Sequence, residues 1–181
     1  MVVIGVALAA GLYWLVSANS ESSTPEPDPP IAASVCPADG AGATPYDPNA
    51  APYAGPAPHP ARLLRVRDGH PSVETGLPAE WTTRDAAAVQ LVVCEHVAVG
   101  AQTTECAYSD GSRIPVVNAN YRYRVYAART GKAVTEVTLP GVGWHCAPVT
   151  SSGPGPTGAV VKLPSSEALA DALRPAVAGR R

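Results

Sequence analysis

The sequence predicts a mainly β domain, with α+β as the alternative, carried behind an N-terminal transmembrane helix and a proline-rich spacer. Three observations predict it. Residues 116–128, VVNANYRYRVYAA, alternate apolar and polar with period two. Arg129-Thr130-Gly131 follows as a three-residue hairpin loop, and AVTEVTL returns over 133–139. Residues 165–179, SSEALADALRPAVAG, carry a helical apolar stripe at the C-terminus.

The chain begins with VVIGVALAAGLYWLVSA, residues 2–18, a run without charge. It is long enough to cross a bilayer, at the short end of the range. Tyr13 and Trp14 lie toward one end, where aromatic rings favour the headgroup region. The run reads as an uncleaved signal anchor. A cleaved signal peptide is the alternative, because Val16-Ser17-Ala18 fits a small-x-small cut site. No Lys or Arg occurs between Met1 and Ala61, while Glu21, Glu26 and Asp28 follow the run. Flanks poor in basic residues are translocated, so the C-terminal part is expected outside the cytoplasm. Val35 before Cys36 argues against a lipoprotein cut, which needs a small residue there.

Residues 19–61 lack periodicity and are rich in proline, which predicts an extended, semi-rigid spacer. Cys36 stands out in it and is expected to pin the spacer to the domain of residues 62–181. There, LLRVRDG (63–69) reads as a short strand closed by an Asp-Gly turn, and AAAVQLVVCEHV (86–97) as a central strand. AQTTECAYS (101–109) reads as the next strand, with a bend at Val99-Gly100-Ala101 between them, and Asp110-Gly111 as the following turn. In residues 116–128 one face holds Val117, Ala119, Tyr121, Tyr123, Val125 and Ala127. The other holds Asn118, Asn120, Arg122 and Arg124. With Ala128 facing Lys132 across the loop, Arg124 faces Glu136, Tyr123 faces Val137 and Tyr121 faces Leu139. A one-residue slip would spoil all three pairs. AVVKL (159–163) reads as a last edge strand. In the helix, Ser165 is the N-cap, Leu169, Ala172, Leu173 and Ala176 form the stripe, and Pro175 bends or ends it.

Four cysteines can pair in three ways. A bend near Gly100 would set Cys94 opposite Cys106, leaving Cys36 with Cys146. An exported compartment oxidises such pairs. A metal site is the alternative, drawing on Cys94, His96, Cys106, His145 and Cys146, since Cys and His are good zinc or copper ligands. The two-residue cysteine spacings of zinc and redox motifs are missing.

Net charge is −2, from 13 basic and 15 acidic residues, which excludes a basic nucleic-acid surface. There is no Gly-x-Ser-x-Gly elbow, and Thr130-Gly131-Lys132 lacks the rest of a phosphate loop. No catalytic residue and no cofactor motif is assigned. His59, His70, His96 and His145 are scattered and read mostly as exposed loop residues. Trp81 and Trp144 read as anchors that pack loops, and the tyrosines as core and rim. Asn118, Asn120, Arg122 and Arg124 are the candidate docking face, for a partner protein or a cell-envelope polyanion.

HP (59–60), LPAEW (77–81), VQLVVCEH (89–96), ECAY (105–108), YRVYAARTGKAV (123–134) and HCAP (145–148) together resemble a group of exported, membrane-anchored actinobacterial proteins with a four-cysteine domain. The likeness spans roughly residues 36–178. It implies export and disulfides, and it transfers no activity. The expectation is a membrane-tethered, extracytoplasmic, non-catalytic domain for binding or envelope assembly. An exported enzyme without a recognisable motif and a Cys/His metal-binding protein are the alternatives.

Overall fold

The computed structural model describes residues 31–40, 42–108, 111–146 and 158–178. The apolar run 2–18 lies outside these residues, and no helix among those described is long and apolar enough to cross a membrane. The described chain forms β1 (Ala61–Arg67), β2 (His70–Glu74), β3 (Leu91–Ala107), β4 (Arg113–Ala127), β5 (Ala133–Pro140), β6 (Val160–Val161) and one C-terminal helix, α1 (Ser166–Val177). The sheet order is β2-β1-β3-β4-β5, with β6 also beside β4.

The sheet is mixed, whereas the hairpin pattern predicted an antiparallel one. β1 runs parallel to β3, and β4 parallel to β6. The cause is local. Asp68 and Gly69 both take positive φ, the signature of a tight two-residue turn, and β2 returns at once beside β1. β2 ends next to Leu63 and β3 starts next to Ala61, so residues 75–90 need only round the start of β1.

The β4–β5 hairpin has the expected register. Tyr121 faces Leu139, Tyr123 faces Val137 and Arg124 faces Glu136. The expected closing pair of Ala128 with Lys132 does not form: Ala127 N–H donates to the Lys132 carbonyl, and a bulge between Val125 and Tyr126 restores the expected register further along.

β3 corrects the expected bend. Gly100 is no turn: one strand runs from Leu91 to Ala107 and pairs with β4 from Ala127 to Arg113. Two register shifts, between Val99 and Thr104, are the whole disturbance there. The true turn follows Tyr108, whose N–H donates to the Ser112 carbonyl. A strand rises about 3.3 Å per residue, so Cys94 and Cys106 sit some ~40 Å apart along β3, far beyond the ~7 Å a disulfide tolerates between Cα atoms. The expected pairs Cys94–Cys106 and Cys36–Cys146 are therefore replaced by Cys36–Cys94 and Cys106–Cys146, with Cα separations of 5.5 and 5.6 Å.

Each face of the sheet has its own cover. On one, Leu169, Leu173 and Val177 of α1 pack on Leu63, Leu91, Val93, Tyr121, Tyr123 and Val125, with Trp81 sealing the edge. Ser165 caps α1 by accepting from Ala168 N–H, and Pro175 sits so near its end that the helix runs on to Val177. On the other face lie residues 31–50, with Val35, Cys36 and Ala50 buried against Leu64, Val92, Cys94 and Tyr126.

That second cover departs from the expectation of a spacer reaching residue 61. The segment's amides find partners: Thr44 N–H donates to Ser34, Tyr46 to Ala128, Ala51 to Ala87 and His59 to Val177 carbonyls. Its prolines need no ladder partner and lose little freedom on docking.

Non-reducing peptide mapping will recover 36–94 and 106–146 linked peptides. Each bridge closes a loop whose constraint contributes about 4 kcal/mol in the chain-entropy model. The double variant Cys36→Ser/Cys94→Ser will lose a comparable amount in urea unfolding.

Candidate functional site

The two faces of the central strands carry different polar groups. Toward α1, the register sets Arg65, Glu95 and Tyr123 side by side on β1, β3 and β4. Glu95 is 2% exposed. Its carboxylate accepts from Arg65 Nε, and Arg65 also meets Glu74 at 3.5 Å. Burial, then the charge of Glu95, pushes the Tyr123 phenol far above its ordinary pKa, and Tyr121 in the same direction. Tyr121 and Tyr123 stack with centroids 6.4 Å apart, so they serve as core. Sequence reasoning passed over Glu95. Its signal was phase: it shares the inward parity of Leu91, Val93 and Val97. Enclosed beneath α1 and matched by an arginine, the row locks three strands in register.

The opposite face holds the expected docking residues, and the structure divides them. Arg124 is 8% exposed. Its Nε donates to Glu136 at 2.7 Å and its Nη1 to the Pro37 and Ala38 carbonyls at 3.1 and 3.0 Å. Gly40 presses on the same guanidinium so closely that a methyl group there would overlap it. Arg124 thus fastens the 37–40 segment and is not part of an open docking face. The reason is the cover itself, which an isolated strand pattern does not contain. Arg122 is only partly covered, and its Nη2 donates to Ala38. Asn118 and Asn120 are exposed.

Beside Arg124 lies a cavity of about 360 Å³ lined by Asp39, Gly40, Tyr126, Thr135 and Glu136, among others. Three buried side-chain atoms on this face have no hydrogen-bond partner among the described residues: His96 Nε2, Arg122 Nε and Tyr126 Oη. An unmatched buried polar atom costs about 1–3 kcal/mol, so their concentration on one face is notable. Burial, then the charges of Arg124 and Arg122, lowers the pKa of His96. Burial raises that of Tyr126.

Beyond Glu95 the pairing of β3 with β1 ends, and β3 continues beside β4 to Ala107 as an edge, with β5 and then β6 on the other side of β4. Residues 98–105 are exposed along this edge. Cys106–Cys146 ties its far end to the loop after β5. Trp144 in that loop is 46% exposed, contrary to its expected anchoring role, with Lys162 Nζ 4.9 Å from its ring. Trp81 does anchor, at 3% exposure. Of the histidines read as loop residues, His59 is buried with Nδ1 2.7 Å from Gln90 Oε1, and His96 stands in β3. The three cysteines of the metal alternative, Cys94, Cys106 and Cys146, are in disulfides.

Glu95→Ala will cost about 2–4 kcal/mol in urea unfolding, since it leaves Arg65 with Glu74 alone, and Glu95→Gln will cost less. The pH dependence has two limbs. Above about pH 10 the unfolded chain releases tyrosine protons that the folded chain keeps, so stability falls as pH rises. Below about pH 6.5 the unfolded chain takes up a proton that folded His96 resists, so stability falls as pH drops. Tyr123→Phe will flatten the alkaline limb and His96→Gln the acidic one, read as urea midpoints against pH.

No protein-family model, curated protein or solved structure matches the chain.

Proposed function

We propose that the chain is an extracytoplasmic, non-catalytic binding domain, tethered to the membrane by residues 2–18 and serving recognition or assembly in the cell envelope. The observation that carries this is the pair of disulfides at Cys94 and Cys106, toward the two ends of β3, with both sulfurs fully buried. Such bridges form and persist where thiols are oxidised. The uncharged run 2–18 and the acidic segment after it agree with translocation of everything that follows. The likeness to exported four-cysteine proteins points the same way.

Binding is favoured over catalysis by how the polar groups are used. Arg65 and Glu95 neutralise each other under α1, and Arg124 is spent on Glu136 and two carbonyls. What stays open is a surface: residues 98–105 of β3, Asn118 and Asn120 on the neighbouring β4, and the partly covered Arg122. Exposed strands held on a rigid sheet suit recognition of an extended partner.

A reporter enzyme that works only after export, fused behind Arg181, will be active, and the fusion will stay with membranes through an alkaline wash. Activity confined to a cytosolic reporter would overturn the reading. Release by the wash would replace the anchor with a cleaved leader.

A further inference from the structure

We propose that His96, Arg122 and Asn120 form a binding site for one oxyanion group, a phosphate, sulfate or carboxylate, at the rim where the 37–40 segment stops covering the sheet. The register puts His96 directly opposite Arg122, and Asn120 opposite Ala98 one step further on the same face. Cross-strand partners of this kind have Cβ atoms about 5 Å apart, and Asn120 follows at roughly 7 Å along β4. One small group reaches all three.

The donors there are unmatched. His96 Nε2 and Arg122 Nε are two of the three buried side-chain polar atoms without a partner among the described residues, and they belong to facing residues. Arg122 makes no ion pair with any described residue, whereas its neighbour Arg124 has Glu136. Nη2 of Arg122 is held by the Ala38 carbonyl, which fixes the guanidinium plane beside His96. Both residues are only partly covered although these two nitrogens are shielded, so a small group would reach them once the exposed end of Arg122 turns aside. The species that fits is a negatively charged hydrogen-bond acceptor. A cation would meet the unpaired charge of Arg122, and a neutral hydroxyl would leave that charge unmatched.

The other charged groups that act on the imidazole are Arg124 on β4 and Glu136 on β5, and Asp39 of the covering segment lines the cavity beside them. Burial first, then the two arginines, disfavour the charged ring. A bound oxyanion reverses that field, so it favours the imidazolium. By linkage, its own affinity rises as pH falls through the histidine range. This inference deepens the proposed function by naming what the docking face takes. The binding itself is measured on purified protein and does not depend on cellular address.

The test uses the full chain in nanodiscs of zwitterionic lipid, with the histidine rings followed by NMR while sulfate is added. Sulfate keeps its charge across the range, so its pH dependence reports the protein. Saturable movement of the His96 ring is expected, with its pKa rising by about half a unit. Arg122→Gln will weaken sulfate roughly tenfold, while Arg129→Gln on the hairpin loop will leave it unchanged. Arg122→Lys keeps the charge and loses Nε, and it will fall between. Nanodiscs containing phosphatidylglycerol that move the same ring without sulfate would assign the group to a lipid headgroup. If they do not, the group is a free or polymer-borne anion. No response to sulfate, or a response equal in Arg122→Gln, would mean an adventitious ion only and would sink the site. That failure would leave the exported location standing, just as a cytosolic reporter would leave the site standing.

Discussion

The docking of residues 36–44 onto the sheet is the constraint on which the rest hangs. Cys36 is bonded to Cys94 in the middle of the strand array, and Arg124 grips the Pro37 and Ala38 carbonyls next door. Gly40 lies flat on that guanidinium and Gly131 of the hairpin loop lies against the Ala43 carbonyl, each too close for a side chain. Covalent bond, charge-assisted hydrogen bonds and backbone contact therefore act within one short segment. Take it away, and Val92, Cys94, Tyr126 and Leu64 would face water, and a buried arginine would lose two of its acceptors.

The sheet tolerates two buried ionic groups because each is neutralised in place. Glu95 points to α1 and Arg124 to the opposite cover, and neither faces an apolar neighbour unmatched. A buried pair of this kind contributes little net stability compared with a packed apolar pair, yet it penalises any other alignment heavily. A register error of one residue would bring Glu95 under the N-terminal cover and Arg124 under the helix. The long strands β3 and β4, with bulges and an irregular junction at residues 99–104, need such a device.

Rigidity at the centre contrasts with an exposed periphery. Beyond Glu95, residues 98–105 of β3 carry no described helix or loop, and the end of the strand is held by the second disulfide. The bulges along it interrupt a flat edge, which is how strand edges avoid pairing with copies of themselves. The polar strip from His96 to Asn118 begins where the cover ends. The unmatched nitrogens sit at that boundary, between the part of the face that folding consumed and the part left outward.

Local pattern was enough for the β4–β5 hairpin. The alternation and the complementary pairs of Tyr121, Tyr123 and Arg124 select their partners, and a bulge at Val125 makes up for a loop that closes one residue away from the counted position. The same holds for α1, whose cap and stripe are contiguous in the chain. A strand's neighbour in sequence can be read because the interaction that selects it spans few residues. The bend imagined at Gly100 failed for the complementary reason. Glycine allows a turn without requiring one, and the long ladder with β4, closed only after Tyr108, outweighs it. That error carried the cysteine pairing with it. Nor did composition show that residues 31–50 would cover a sheet face. Their burial rests on surfaces far away in the chain: Cys94, Arg124 and Ala128 supply the bond, the donors and the acceptor. Glu95 was visible as an inward-phase carboxylate, but its meaning waited on Arg65, which a parallel crossover brings alongside. Contacts made across such distances depend on how the strands are ordered, and strand order is a property of the packed whole.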